Sequence, residues 1–207
     1  MCFSENISLI SFIIGIVSSV LCISLGKPID KLFGLYFGYV ILMQLIEYLL
    51  WKHQKCDDYN KQLTQLGMIL NHLQPLIYYL LIIYFFPENN TKLLFFIIFL
   101  YISVIIPYSL QLKDECTLKS QTSRHLSWEW NHMDYSYTIY SIFLLTLCLL
   151  SLVAFPGMIG INFTLLFSIS FIISMKIYWT TGAIGAMWCF FAVFAPLLYF
   201  FKNKYTV

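Results

Sequence analysis

Residues 7–25 read ISLISFIIGIVSSVLCISL, a run that contains no charged side chain. An α-helix rises about 1.5 Å per residue, so this run is long enough to cross a hydrocarbon core about 30 Å thick. Six further apolar runs follow it and fill most of the 207-residue chain. The seven predicted spans are 7–25, 33–51, 66–86, 93–112, 135–155, 158–179 and 182–201.

The composition points to the same class of protein. The chain is 60% hydrophobic and 11% charged, with a mean hydropathy of +0.78. Backbone groups in lipid need partners within the protein, which leaves helices or the alternating strands of a closed barrel. The runs are continuous rather than alternating, so they predict helices. We therefore expect an all-α polytopic integral membrane protein, with residues 1–207 forming a single seven-helix bundle in a lipid bilayer.

Seven spans place the two termini on opposite faces. We call the face of the N-terminus side A, which also carries the 52–65 and 113–134 loops, and the opposite face side B. Side A has seven basic residues and side B five, which favours side A in the cytosol by the positive-inside rule. Cys56 and Cys116 both lie in side-A loops, where a disulfide would place side A outside the cytosol. Two unpaired thiols are the alternative, so the orientation and the compartment stay open.

Other charge and sequon signals do not settle the topology. Candidate glycosylation sites occur on both faces, at Asn6 on side A and at Asn89 and Asn162 on side B. The net charge is only +2 and the lysines are spread over both faces, so no nucleic-acid partner is expected.

Small residues at four-residue spacing mark sites of close helix packing. The first span has Ser11, Gly15 and Ser19, and the second has Gly34 and Gly38. Small side chains let membrane helices approach closely, so we interpret both patterns as packing seams.

Few reactive or ionisable side chains interrupt the spans. An ionisable group at the centre of a membrane helix costs about 2.5–3.5 kcal/mol, so each is a candidate functional residue. All of them lie in the half of the membrane next to side A, and the side-B half has essentially none. We therefore expect a polar ligand pocket on side A. Its candidate residues are Cys2, Glu47, Asn71, His72, Gln74, Trp188 and Cys189.

Each candidate also has a structural interpretation. Glu47 could extend to the interface or pair with Lys52 or Lys176, and His72 could hydrogen-bond a backbone carbonyl freed by a kink at Pro75. Cys189 could be a packing residue. The segment WEWNHMD at 128–134 could be a short interfacial helix anchored by its tryptophans.

The candidate residues allow two kinds of chemistry. Glu47, His72 and Cys189 are of the types that bind zinc, and a buried carboxylate beside an imidazole can relay protons. The spans contain no HxxxH, HExxH or CxxC motif. The signal for a metal cofactor is therefore weak, and a role other than catalysis is favoured.

Four short segments resemble an uncharacterised family of small polytopic membrane proteins. They are MCFS at 1–4, MQLIEYLLW at 43–51, HLQP at 72–75 and GAMWCFF at 185–191. Members of this family, found in bacteria and giant viruses, begin Met-Cys-(Phe/Trp)-Ser. The resemblance covers the N-terminus and the second, third and seventh spans. It implies a shared architecture and a shared site, and it supplies no reaction.

Three functions remain open at this point. The first is a membrane receptor, carrier or assembly factor with a small ligand or metal ion in the side-A pocket. The second is an intramembrane metal-dependent or acid/base enzyme that uses the same residues. The third is a structural protein of a viral or organellar membrane.

Overall fold

The computed structural model describes residues 4–112, 115–120, 125–128, 130, 133–178 and 184–204, and these form an almost entirely helical bundle. The helices are α1 (Glu5–Ser24), α2 (Pro28–Lys52), α3 (Asp58–His72), α4 (Gln74–Phe85), α5 (Thr91–Ser109), α6 (Ser136–Ala154), α7 (Met158–Tyr178) and α8 (Ile184–Lys204). The only strands in these residues, β1 (Leu118–Lys119) and β2 (Leu126–Ser127), pair antiparallel within the predicted 113–134 loop.

Several helices are long and apolar enough to cross a membrane. Among the described residues these are α1, α2, α5, α6 and α7. Helices α3 and α4 add a sixth span if the pair, which is bent by 45°, crosses as one. In α8 the side chains are described without a break only over Trp188–Lys202, and this stretch is apolar but shorter than the other five.

The third predicted span, 66–86, is not one continuous helix. Its helix already starts at Asp58, so most of the predicted 52–65 loop is helical, and the helix breaks at Leu73. Asp57 begins α3 because its side chain accepts the backbone N–H of Asn60. Pro75 has no N–H and its ring crowds the preceding turn, which accounts for the break before α4.

Small residues do form the seam between α1 and α2. A Cβ atom on Gly34 would lie 2.6 Å from the backbone oxygen of Ser19, and one on Gly15 would lie 2.6 Å from Ile41. Gly38 has more room, since its nearest neighbour would be 3.6 Å away on Ser19. The α1 and α2 backbones therefore approach most closely at Gly34.

The side-B half does contain a buried ionisable residue, Asp30, which lies just outside the predicted span 33–51. Helix α2 starts at Pro28, so Asp30 lies in its first turn, where it is 2% exposed. Its Oδ1 accepts a 2.7 Å hydrogen bond from the hydroxyl of Tyr199 in α8. Its Oδ2 accepts the backbone N–H of Lys27 at 3.0 Å. The sequence pattern missed this because Asp30 precedes the apolar run of α2.

Candidate functional site

Three of the predicted site residues come together in the core: Glu47 of α2, Gln74 of α4 and Cys189 of α8. All three are completely buried. The Nε2 of Gln74 donates to the Cys189 sulfur at 4.0 Å, and Glu47 is close enough to act electrostatically on the same thiol. We call these three residues the polar core. Helices from three parts of the chain meet here.

Two further amides belong to the same region. Gln44 precedes Glu47 by three residues and so shares its face of α2. Asn71 shares a face of α3 with Gly67, and a Cβ on Gly67 would lie 3.4 Å from Ile46 of α2. Gln44 and Asn71 are each 2% exposed, so both amides are buried in the bundle.

Several of these buried polar atoms have no hydrogen-bond partner among the described residues. They are Nε2 of Gln44, Nδ2 of Asn71 and Oε1 of Gln74. A buried polar atom left unpaired costs about 1–3 kcal/mol. The region therefore offers two N–H donors and one carbonyl acceptor to a small molecule that carries complementary groups.

His72 is buried but is bound by other elements. Its Nδ1 lies 2.8 Å from the hydroxyl of Ser109 at the end of α5, and its ring packs near Tyr108 and Trp130. The hydroxyl of Tyr101 donates to its backbone carbonyl at 2.7 Å. His72 thus joins the α3–α4 break to α5 as a packing histidine, but its ring contacts the Ser109 hydroxyl and not the backbone carbonyl that its structural interpretation expects.

Glu47, His72 and Cys189 do not form a metal site. Among the residues that the structure describes, no three His, Cys, Asp or Glu side chains lie close enough together to hold an ion. Cys2, the remaining sulfur candidate, lies outside the described residues.

The structural interpretation of Glu47 as an interfacial residue fails, because its side chain has no exposure. Lys176 is exposed, and the exposed Lys52 ammonium instead donates to the hydroxyl of Tyr48 at 3.3 Å. Within the described ranges the only ion pair is His53–Asp57, so neither lysine bridges to Glu47.

Trp188 lies beside Cys189 in the chain but faces a different neighbour. Its indole N–H donates to the hydroxyl of Ser170 in α7 at 2.8 Å, and its ring meets Phe143 edge-on. Trp188 is therefore part of the α6–α7–α8 packing.

The tryptophans of the 128–134 segment are core residues. Trp128 is 1% exposed and Trp130 is 3% exposed, so headgroup anchoring does not describe them. The Trp128 ring covers Gly67, where a Cβ would come within 2.9 Å of it. The Trp130 indole donates to the hydroxyl of Tyr140 at 3.3 Å. Glu129, Asn131 and His132 of this segment lie outside the described residues.

A cover of two loops lies on side A, and a disulfide joins them. Cys56 and Cys116 are bonded across 60 positions of sequence. We call residues 53–57, 115–120, 125–128 and 130 the side-A cap. Gln54 accepts the backbone N–H of Lys119 at 2.7 Å, which gives the two loops a second link.

Asn60 joins α3 to the side-A cap, and the sequence analysis did not identify it. It is fully buried, and its Nδ2 donates to the backbone carbonyls of His53 and Thr117. Its Oδ1 accepts the backbone N–H of Thr117 at 3.0 Å. The available signal was the polar N-cap Asp57 three residues earlier, which marks a helix start where we predicted a loop.

The three candidate sequons occupy different settings. Asn6 is in the first turn of α1, Asn89 lies in the connection between α4 and α5, and Asn162 is inside α7. Glycosylation needs an accessible side chain, and although Asn89 lies in a loop, its Nδ2, the atom that would carry a glycan, is buried.

The chain was compared with protein-family models, with curated proteins and with solved structures, and none of them matches it.

Proposed function

We propose that this chain is a seven-span membrane protein that binds a small polar ligand at the polar core, in a receptor, carrier or membrane-assembly role. The seventh span would be α8, whose 21 residues suffice for a crossing. The resemblance to the Met-Cys-(Phe/Trp)-Ser family supports the same assignment, because its segments contribute Glu47, Gln74 and Cys189.

The observation that carries the proposal is the group of buried amide atoms without partners at Gln44, Asn71 and Gln74. Unpaired polar atoms in a core are rare because they reduce stability. A bound molecule that pairs with them accounts for their presence better than packing does. Two N–H donors beside one carbonyl acceptor suit a small neutral molecule with carbonyl and hydroxyl or amine groups. A purely structural bundle gains nothing from them.

Entry of such a ligand would be from side A. The polar core lies on the side-A half of α2, and the side-A cap lies above it. The Cys56–Cys116 disulfide supports placing side A outside the cytosol, because such bonds persist in oxidising compartments. The ligand would then be an extracytosolic one.

Thiol labelling in sealed proteoliposomes tests this proposal. Two variants would keep the disulfide and one other cysteine: Cys189 in the first and Cys22, which donates to the backbone carbonyl of Pro196, in the second. A small charged methanethiosulfonate reagent would be added to each face in turn. We expect Cys189 to react from side A and Cys22, the buried control, to remain unmodified.

If neither thiol reacts from either face, the result would contradict a ligand site and favour a structural membrane protein. Reaction of Cys189 from side B would contradict the proposed route. Replacement of Gln74 by Leu removes the unpaired side-chain carbonyl and fills the same space with an apolar side chain of similar size. We expect it to slow the labelling of Cys189 from side A, because the core becomes drier.

A further inference from the structure

Two adjoining cavities lie between α2, α7 and α8, and the outer one opens on side B. The outer one has a volume of about 480 Å³ and the inner one about 400 Å³. Both are within the range of about 300–1,000 Å³ that is typical of ligand sites. They are continuous, because four residues line both of them: Asn162, Leu166, Ala195 and Leu198. We call the combined space the side-B groove.

The groove is long and narrow. Its lining on α7 runs from Ile159 to Ile173, a rise of about 21 Å at 1.5 Å per residue. That is about two thirds of a hydrocarbon core 30 Å thick. At its inner end lie Trp188 and Ser170, which are joined by a hydrogen bond of 2.8 Å.

The walls of the inner cavity are apolar and one flank is open. Its lining includes Phe37, Val40, Leu165, Phe167 and Phe191. Leu198 is 69% exposed and Ile169 is 53% exposed on the outer surface of the bundle. A flexible chain could therefore enter sideways from lipid and lie against a wall that is mostly apolar.

The mouth of the groove on side B is basic. Lys27 and Lys202 line it, and both are exposed. The N-terminus of α2 adds the positive end of its helix dipole beside Lys27. Asp30 also borders the mouth, but it is buried and its two oxygens accept from Tyr199 and from the backbone of Lys27. The exposed side of the mouth therefore carries the Lys27 ammonium and the α2 N-terminus, with the Lys202 side chain beside them.

We propose that the side-B groove binds a membrane phospholipid with an anionic headgroup. One acyl chain lies along the apolar wall between α7 and α8, and the phosphate and headgroup lie at Lys27 and Lys202. The length of the groove matches an extended acyl chain, and the charge at its mouth complements the headgroup.

The test compares lipids that differ only in headgroup. The purified full chain would be incubated with an equal mixture of dioleoyl phosphatidylglycerol and dioleoyl phosphatidylcholine, and native mass spectrometry would count the lipids retained. We expect phosphatidylglycerol to be retained preferentially. In the double variant Lys27→Ala/Lys202→Ala this preference should fall by about fivefold for each lysine. Lys92→Ala, an exposed side-B lysine at the start of α5, is the matched control and should keep it.

A second variant tests the acyl-chain site. Ala195 is 7% exposed and lines both cavities, so Ala195→Phe should fill the narrow middle of the groove and lower the retention of both lipids. Its thermal unfolding would be measured in parallel to confirm that the bundle is folded. Equal retention of the two lipids by the wild-type protein would overturn the proposal. So would an equal loss of preference in Lys92→Ala, or unchanged retention in folded Ala195→Phe.

Discussion

The hydroxyl of Tyr101 in α5 donates a 2.7 Å hydrogen bond to the backbone carbonyl of His72, the last residue of α3. This carbonyl lies at the break between α3 and α4, where the regular helical pattern is interrupted by Pro75. Tyr101 therefore completes the hydrogen bonding of a bent span from a neighbouring helix, and α5 fixes the position of the bend.

Replacement of Tyr101 by Phe should destabilise the bundle by about 1–3 kcal/mol, because the buried carbonyl of His72 loses its donor. Thermal unfolding in a defined detergent would measure the loss. Tyr84→Phe is the control, since Tyr84 is 76% exposed and should tolerate the change. If the two variants unfold at the same temperature, Tyr101 does not support the break.

Two glycines of the α1–α2 seam should respond differently to replacement by alanine. Gly34→Ala would bring a methyl group against the backbone of Ser19 and should cost about 1–3 kcal/mol through overpacking. Gly38→Ala meets its first neighbour only at 3.6 Å, so it should be close to neutral. Unfolding midpoints of the two variants would show the difference. A neutral Gly34→Ala would mean that the helices separate more easily than their contact suggests.

Loss of the disulfide should loosen the side-A cap. The bond spans 60 positions of sequence, and closing a loop of that size restricts the unfolded chain by about 4 kcal/mol in the entropy model. The bilayer already restricts the unfolded state, so the measured loss should be smaller than this. We expect Cys56→Ser/Cys116→Ser to speed proteolysis within the cap while the helices remain protected. Cys148→Ser, which leaves the disulfide intact, is the control.

Acid should weaken the start of α3. Hydrogen bonds from the His53 imidazole and from the backbone N–H of Asn60 lower the pKa of Asp57 below its usual 3.8. A lowered carboxyl pKa stabilises the fold above the unfolded pKa, and this stabilisation is lost as the pH falls through the folded pKa. The loss therefore occurs at pH values below about 3.8.

Hydrogen exchange of residues 53–64, corrected for the intrinsic effect of pH, would report this change. We expect protection to fall as the pH is lowered below about 3.8 in the native protein. Asp57→Asn keeps an N-cap side chain without a titrating carboxyl, so its protection should vary less over the same range. A native profile that matches the variant would show that Asp57 does not control this helix start.

Much of the helical architecture could be predicted from the sequence. The apolar run 7–25 becomes α1 at Glu5–Ser24, and 135–155 becomes α6 at Ser136–Ala154. Such runs leave the backbone few alternatives in lipid. The start of α3 could not be predicted in this way. Its first turns are polar and lie outside the apolar run, so they are set by the Asp57 cap and by the contacts of Asn60.

The depth of the site residues in the membrane could be predicted from the sequence, but the direction in which each side chain points could not. Counting residues from the span ends places Glu47, His72 and Cys189 at similar heights. Which neighbour each side chain faces depends on how its helix is rotated, and helix rotation is decided by packing. The packing turns Gln74 toward Cys189 and His72 toward Ser109. It also buries Trp128, because the groove beside Gly67 exists only in the folded bundle.

The side-B groove shows a further limit of sequence reading. Polar residues within apolar runs draw attention, whereas a space between helices has no signal in any single run. Three separate helices line the groove, and the small side chain of Ala195 leaves space in its middle. Lys27 and Lys202 are unremarkable loop and tail residues until the fold places them at one opening.

The Cys56–Cys116 bond also carries information about the order in which the chain matures. Cys56 leaves the ribosome before α3, α4 and α5 are made, and Cys116 follows all three. The bond therefore cannot close until α3, α4 and α5 have been made, and it can close while α6, α7 and α8 are still to be synthesised. A nascent chain arrested before residue 116 could not form it.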